Sequence, residues 1–358
     1  MVKRVACLCL SLWIGACLAQ YTSSGGDVWR SLMREADVLY QQGQYDRAVA
    51  AATQALEVAE RGLGPVHPDV ATSLNLLALL HSAKGAYRAA EPLYRRALAI
   101  MEQFLGPEHH SVTLAVANLA EFFQSQGRYA EAESLYRRAL DTVERVLGAN
   151  HPNVATALNN LAALHYAQGR LVEAEPLYER ALAVRERALG PYNPAVAASL
   201  NNLAALYRAR GQYAAAEPLY QRSLSIAETR LGAQHPAVAV ALNNLAELYG
   251  AQRRYAAAEE LHQRSLAILE AALGPEHPDV DPSLNYLAEL YAVQSQYVAA
   301  EHYYRRSLEI RERNLGPDHL AVADELERIA KMYGLMGRHE DAKRLADRAA
   351  RIRSGPAR

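Results

Sequence analysis

A Leu-Gly dipeptide recurs every 42 residues without slippage, at Leu63, Leu105, Leu147, Leu189, Leu231, Leu273 and Leu315, each followed by its glycine. A strict period of this length marks a chain assembled from one supersecondary unit whose apolar face is buried only against its neighbours. Units counted from Trp29 begin again at Ala71, Thr113, Ala155, Ala197, Ala239, Asp281 and Ala323, so eight of them, the last truncated, fill residues 29–358. Length alone would suggest about two or three globular domains. The core of a solenoid lengthens with repeat number, however, so one continuous repeat domain is the expectation.

In the unit around Ala155, the residues Val154, Leu158, Leu161, Ala162 and His165 keep helical spacing. Gly169 interrupts, and a second helical period runs through Leu171, Ala174, Leu177, Tyr178, Ala181 and Leu182. Each unit therefore reads as a helical hairpin and the fold class as all-α, a solenoid of such hairpins. His151-Pro152 predicts the start of the first helix, with proline where a missing N–H costs nothing. Leu189-Gly190 predicts the end of the second, its glycine in the left-handed conformation that closes helix C-termini. Ala78, Ala120, Ala162, Ala204, Ala246, Ala288 and Ala330 in the first helices, and Ala90, Ala132, Ala174, Ala216, Ala258, Ala300 and Ala342 in the second, predict close crossings. Tyr94, Tyr136, Tyr178, Tyr220 and Tyr304 read as core. A second-helix arginine recurs at Arg96, Arg138, Arg180, Arg222, Arg264, Arg306 and Arg348. It reads as a solvated residue near acidic neighbours, with a basic stripe for an acidic partner as the alternative.

The first 19 residues differ from the rest. Lys3 and Arg4 precede an uncharged stretch, residues 5–19, too short to span a bilayer, which predicts an export signal. Cleavage after Ala19 is one reading. The other takes Ile14-Gly15-Ala16-Cys17 as a lipobox, with the signal covering residues 1–16, Cys17 lipidated and membrane attachment only through that anchor. Residues 20–28, containing QYTSSGG, then form a flexible linker ahead of the repeat domain at 29–358. The expected location is outside the cytoplasm, in a periplasm or on a membrane. All three cysteines fall within this leader, so disulfide and thiolate chemistry are excluded from the repeats. A net charge of -1 argues against a nucleic-acid binder, which needs a basic surplus.

The combination of Leu158-Asn159-Asn160-Leu161-Ala162, the turn Gly127-Arg128-Tyr129, Ala-Glu early in the second helix, and Leu-Gly-X-X-His-Pro between units resembles the 42-residue tetratricopeptide repeats of kinesin light chains. The heptad coiled coil with which kinesin light chains join a motor is absent from this sequence, and motor transport is not inferred. The resemblance implies a right-handed superhelix whose concave wall, lined by first helices, receives an extended peptide or partner protein. It implies contacts from Asn118, Asn160, Asn202 and Asn244 at one repeat position. It also implies Asn75, Asn159, Asn201, Asn243 and Asn285 at the position before, with Tyr166, Arg208, Glu121, Glu247 and Glu289 nearby. A side-chain amide carries both donor and acceptor, so a row of them suits peptide backbone whatever the ligand's side chains. The alternative is that these asparagines knit neighbouring helices together. Ala163, Ala167, Ala205 and Ala209 stand where a carboxylate clamp would need cations, which disfavours a C-terminal carboxylate ligand.

The end units depart from the pattern. Arg30, Arg34 and Asp37 in the first, and Asp324, Glu325, Glu327, Arg328 and Lys331 in the last, read as polar solenoid caps, and residues 351–358 as a frayed tail. Two rival functions remain open. One is an envelope-assembly lipoprotein that docks by its convex face or ends. The other is a metal protein or enzyme built on His67, His109, His151, His235, His277 and His319. Each of these histidines sits alone in its unit, and Asn193 replaces the fourth, which favours a helix N-cap over a metal ligand. No Walker-type loop, Gly-X-Ser-X-Gly or His-Glu-X-X-His occurs, so neither catalysis nor a cofactor is expected.

Overall fold

His67, His109, His151, His235, His277 and His319 each accept the backbone N–H two residues ahead through Nδ1, at 3.1–3.2 Å, and Asn193 does the same through Oδ1 at 2.9 Å. These contacts satisfy one orphan donor at each start and set the beginning of the first helices after the initial one, or, at His277, of the 3-10 turn that leads into one. The computed structural model describes residues 26–354, which fold entirely as helices and connecting turns, sixteen α-helices in consecutive hairpins. The chain divides into two compact units, one ending at Gly190 and the other beginning at Pro191. The first contains α1 (Gly26–Gln41), α2 (Tyr45–Leu63), α3 (Pro68–Ala83), α4 (Tyr87–Leu105), α5 (His110–Ser125), α6 (Tyr129–Leu147), α7 (Pro152–Ala167) and α8 (Leu171–Leu189). The second contains α9 (Pro194–Ala209), α10 (Tyr213–Leu231), α11 (Pro236–Ala251), α12 (Tyr255–Leu273), α13 (Asp281–Val293), α14 (Tyr297–Leu315), α15 (Leu320–Leu335) and α16 (His339–Ser354). A short 3-10 turn, Pro278–Val280, leads into α13.

Within each unit, odd-numbered helices pack against the following even-numbered partner, and that partner packs against the next hairpin. The small residues lie at these crossings as expected. Ala78, Ala120, Ala162, Ala204, Ala246 and Ala288, and Ala90, Ala132, Ala174, Ala216, Ala258 and Ala300, are completely buried, and only Ala342 in the last helix remains half-exposed. The tyrosine stripe is core, and His262 takes its place in the sixth repeat. Burial pushes the His262 ring down to about 4, so it is neutral at physiological pH.

Most of the recurring arginines form ion pairs between neighbouring repeats. Arg96 meets Glu60, Arg264 meets Glu228 and Arg348 meets Glu312, each at 2.6 Å, and Arg138 and Arg180 pair with Glu102 and Glu144. A second set stacks as well as pairs. The Arg254 guanidinium lies 3.7 Å from the Tyr249 ring centroid and reaches Glu217 at 3.0 Å, and Arg338 repeats this with Tyr333 and Glu301. Partly exposed pairs of this kind contribute on the order of 0.2–1 kcal/mol each, so they align neighbouring hairpins more than they drive folding.

Three expectations need correction. The Leu-Gly glycines have positive φ, but their ψ lies between 149 and 164°, outside the left-handed helical region. Each still caps its helix, by donating its N–H to the carbonyl four residues back, as Gly148 does to Glu144 at 3.0 Å. Glu325 is not on a polar cap face but wholly buried. It stands where other repeats carry Ser or Ala, beside Arg311 at 3.2 Å, which also binds Asp281 at 3.0 Å. Residues 26–28, assigned to the linker, and 351–354, assigned to the tail, are helical. Cys17, both signal-cleavage sites and residues 355–358 lie outside the described residues.

Candidate functional site

The residues exposed on a first helix are set by its 3.6-residue period. In α7 the outward stripe is Thr156, which is exposed, with Asn160, Ala163 and Ala167, which are half-buried, at i, i+4, i+7 and i+11, while Leu158, Leu161, Ala162 and His165 face inward. The same register in α5 presents Leu114, Asn118, Glu121 and Ser125. In the unit ending at Gly190, this stripe carries two amides at equivalent positions. Asn118 and Asn160 are half-buried, and neither side chain has a hydrogen-bonding partner among the described residues. Glu121, one turn beyond Asn118, is half-buried and also lacks an ion-pair or hydrogen-bond partner among the described residues. Burial pushes its carboxyl above the usual carboxylate range. Tyr166 is half-buried at the far end of α7.

The neighbouring series sits deeper. Asn75 and Asn159 are buried, the former with its Oδ1 unbonded and the latter engaged in a polar contact. Leu76 takes the Asn118 position in the preceding repeat and is buried, so the amide row of this unit begins in α5.

In the unit beginning at Pro191, α9 and α11 touch, as do α11 and α13. Asn202 is half-buried and engaged in a polar contact, and Asn201 is half-buried with its Oδ1 unbonded. Asn243 and Asn244 are buried. Asn243 is held by Ser283 and His262. Asn285 is buried and donates to Asp281 Oδ1 at 3.0 Å and Ser307 Oγ at 2.7 Å while accepting from Arg328 at 3.1 Å. The amides of Asn243 and Asn285 are thus committed to helix–helix contacts, the alternative that the sequence left open. Arg208 pairs with Glu247 at 2.7 Å, and Arg328 with Glu289 at 2.8 Å. Desolvation raises the Glu247 carboxyl although Arg208 opposes it, and raises the hydroxyl of Tyr286, which bonds Glu247. The wall of this unit is therefore a string of internally paired charges.

Sequence reasoning missed Tyr286, which occupies the Asn118 repeat position in α13, and the exposed Val240, Val293 and Leu335 on the same helices. The signal was present, because Val240 lies four residues before Asn244 and Val293 seven after Tyr286, on the same helical stripe. Among the described residues, no group of three His, Cys, Asp or Glu side chains is placed to hold a metal ion, and no helix is long and apolar enough to cross a membrane.

A family model, the tetratricopeptide repeat, matches residues 30–103, 112–187, 153–229, 196–271, 237–313 and 279–354. The chain belongs to the tetratricopeptide repeat family. Among solved structures, this tetratricopeptide repeat protein is similar to BtubC from P. vanneervenii, at 27% identity and TM-score 0.52, over 66% of this chain and 92% of that one. It is also similar to a single-substitution variant of a Podospora anserina putative kinesin light chain with nearly identical repeats, at 26% identity and TM-score 0.50, over 59% of this chain and 99% of that one. A likeness of fold alone, at 18% identity and TM-score 0.58, extends to a Rap protein complexed with competence and sporulation factor, over 80% of this chain and 75% of that one. A search of curated proteins returned no match.

Proposed function

We propose that this tetratricopeptide repeat protein is an exported scaffold that holds an extended segment of a partner protein against its first-helix walls. The observation that carries this reading is the pair Asn118 and Asn160. Their half-exposed amides have no partner among the described residues and recur at one position in successive first helices. Asn is a mediocre helix former, so two such residues without an internal role are best explained by a ligand's backbone. The Rap protein, alike in fold only, is itself a complex with competence and sporulation factor.

We infer in the same way that the protein acts by binding and not by catalysis. Support comes from the repeated histidines, each of which is used as a helix N-cap. Export rests on Lys3, Arg4 and the uncharged stretch that follows, with Cys17 as the proposed lipid attachment point. An intact mass of the mature protein that begins at Gln20 would remove the anchor.

The test of the scaffold is partner capture from the native envelope with the full mature chain and with its N118A/N160A variant. Loss of a specific partner by the variant, with helicity unchanged, supports the first-helix wall as the working surface. An identical partner set on both proteins would move binding to the opposite face or to the ends.

A further inference from the structure

We propose that Glu121 selects the ligand of the unit ending at Gly190, drawing a lysine or arginine side chain of a bound peptide to the first-helix wall. This rests on the peptide-binding reading of that wall and adds the chemical class of the ligand. Several other first-helix acids are answered from within the protein. Glu247 is paired with Arg208, Glu289 with Arg328, and Asp324 and Glu327 with Arg353, at 2.7–2.8 Å. Glu121 has no such cation among the described residues.

Its placement is unfavourable for an unanswered charge. It is half-buried, and its carboxyl is pushed up by desolvation alone. The Tyr94 hydroxyl behind it is raised first by its own burial and further by the Glu121 charge. A purely structural residue here would be apolar, as Leu79 and Ala163 are at the same position in the adjoining repeats. Asn118 lies one helical turn away on the same stripe, and Asn160 repeats its position in the next first helix. Backbone-binding amides and a side-chain-binding carboxylate are therefore together on one surface. A peptide held by the amides can direct a basic side chain onto Glu121, where a charge-assisted hydrogen bond replaces the missing internal partner.

The experiment titrates the full mature chain with three fluorescein-labelled pools of end-blocked nine-residue peptides. The pools are randomised over uncharged residues, except that the central position is fixed as Lys or Arg, as Ala, or as Glu. The wild-type protein is expected to bind the basic pool about tenfold more tightly than the Ala pool. E121Q should erase that ratio, E121K should shift preference to the Glu pool, and E35Q, which removes an equal charge from an exposed site on α1, should leave it intact. Equal binding of all pools by the wild type, or a ratio that survives in E121Q, overturns the selectivity assigned to Glu121 while leaving the peptide wall standing. Failure of every pool to bind overturns both.

Discussion

Asn243 donates its amide N–H to Ser283 Oγ at 2.9 Å, across one repeat boundary, while its carbonyl faces His262 Nδ1 at 2.8 Å. All three side chains are buried. Removing the amide would leave the His262 ring nitrogen without this partner in the interior and the Ser283 hydroxyl with only Ser265, at 3.2 Å. Asn243→Ala is therefore expected to lower stability by about 1–3 kcal/mol. Asn118→Ala, whose side chain has no internal partner, should change it by no more than about 0.5 kcal/mol. Urea unfolding of the two variants compares these values directly, and equal losses would contradict the different placements of the two asparagines.

Glu325 makes stability fall as pH rises. Its pKa is raised from 4.5 to about 7 by burial, which Arg311 only partly offsets. An acid shifted upward in the folded state contributes stability that is full below its unfolded pKa and is lost as pH climbs through the folded one. The window is thus pH 4.5 to 7, and the shift corresponds to about 3 kcal/mol. His262, lowered from 6.5 to about 4, acts in the opposite sense, losing stability as pH falls through that range. The difference between wild type and E325Q isolates the first effect. It should favour E325Q progressively from pH 4.5 to 7 and then level off, and a flat difference would contradict the assignment.

Two hairpin turns carry strain that the others avoid. Arg253 and Ser295 have φ of 61 and 60°, where the equivalent turns use Gly43, Gly85, Gly127, Gly169, Gly211 and Gly337. The left-handed region costs a non-glycine residue about 1–2 kcal/mol. Ser295→Gly is accordingly expected to raise the thermal midpoint, and Gly211→Ala to lower it. Calorimetry of both variants should give shifts of opposite sign.

Much of this was legible in the repeat pattern, because helix boundaries, caps and crossings depend on local residue types at fixed intervals. A His or Asn cap before each first helix after the initial one, alanine at the crossings and tyrosine in most of the cores recur for that reason. The site was harder to read. Asn159 and Asn160 are adjacent, separated by about 100° on the helix, and the boundary between core and wall falls between them. Only three-dimensional packing shows that Asn159 is buried and Asn160 half-exposed. Glu325 was misplaced for a related reason. A charged residue in a terminal repeat ordinarily faces water, and its actual partner Arg311 lies 14 positions back in the preceding hairpin.

The most direct measurement is the affinity of the full mature chain for a fully randomised, fluorescein-labelled pool of end-blocked nine-residue peptides, beside the N118A/N160A variant. Loss of two amide contacts at about 1 kcal/mol each predicts binding weakened about thirtyfold in the variant relative to the wild type, with its stability retained. Equal affinity of the two proteins, or no binding by either, would contradict the assignment of the first-helix wall as the peptide site.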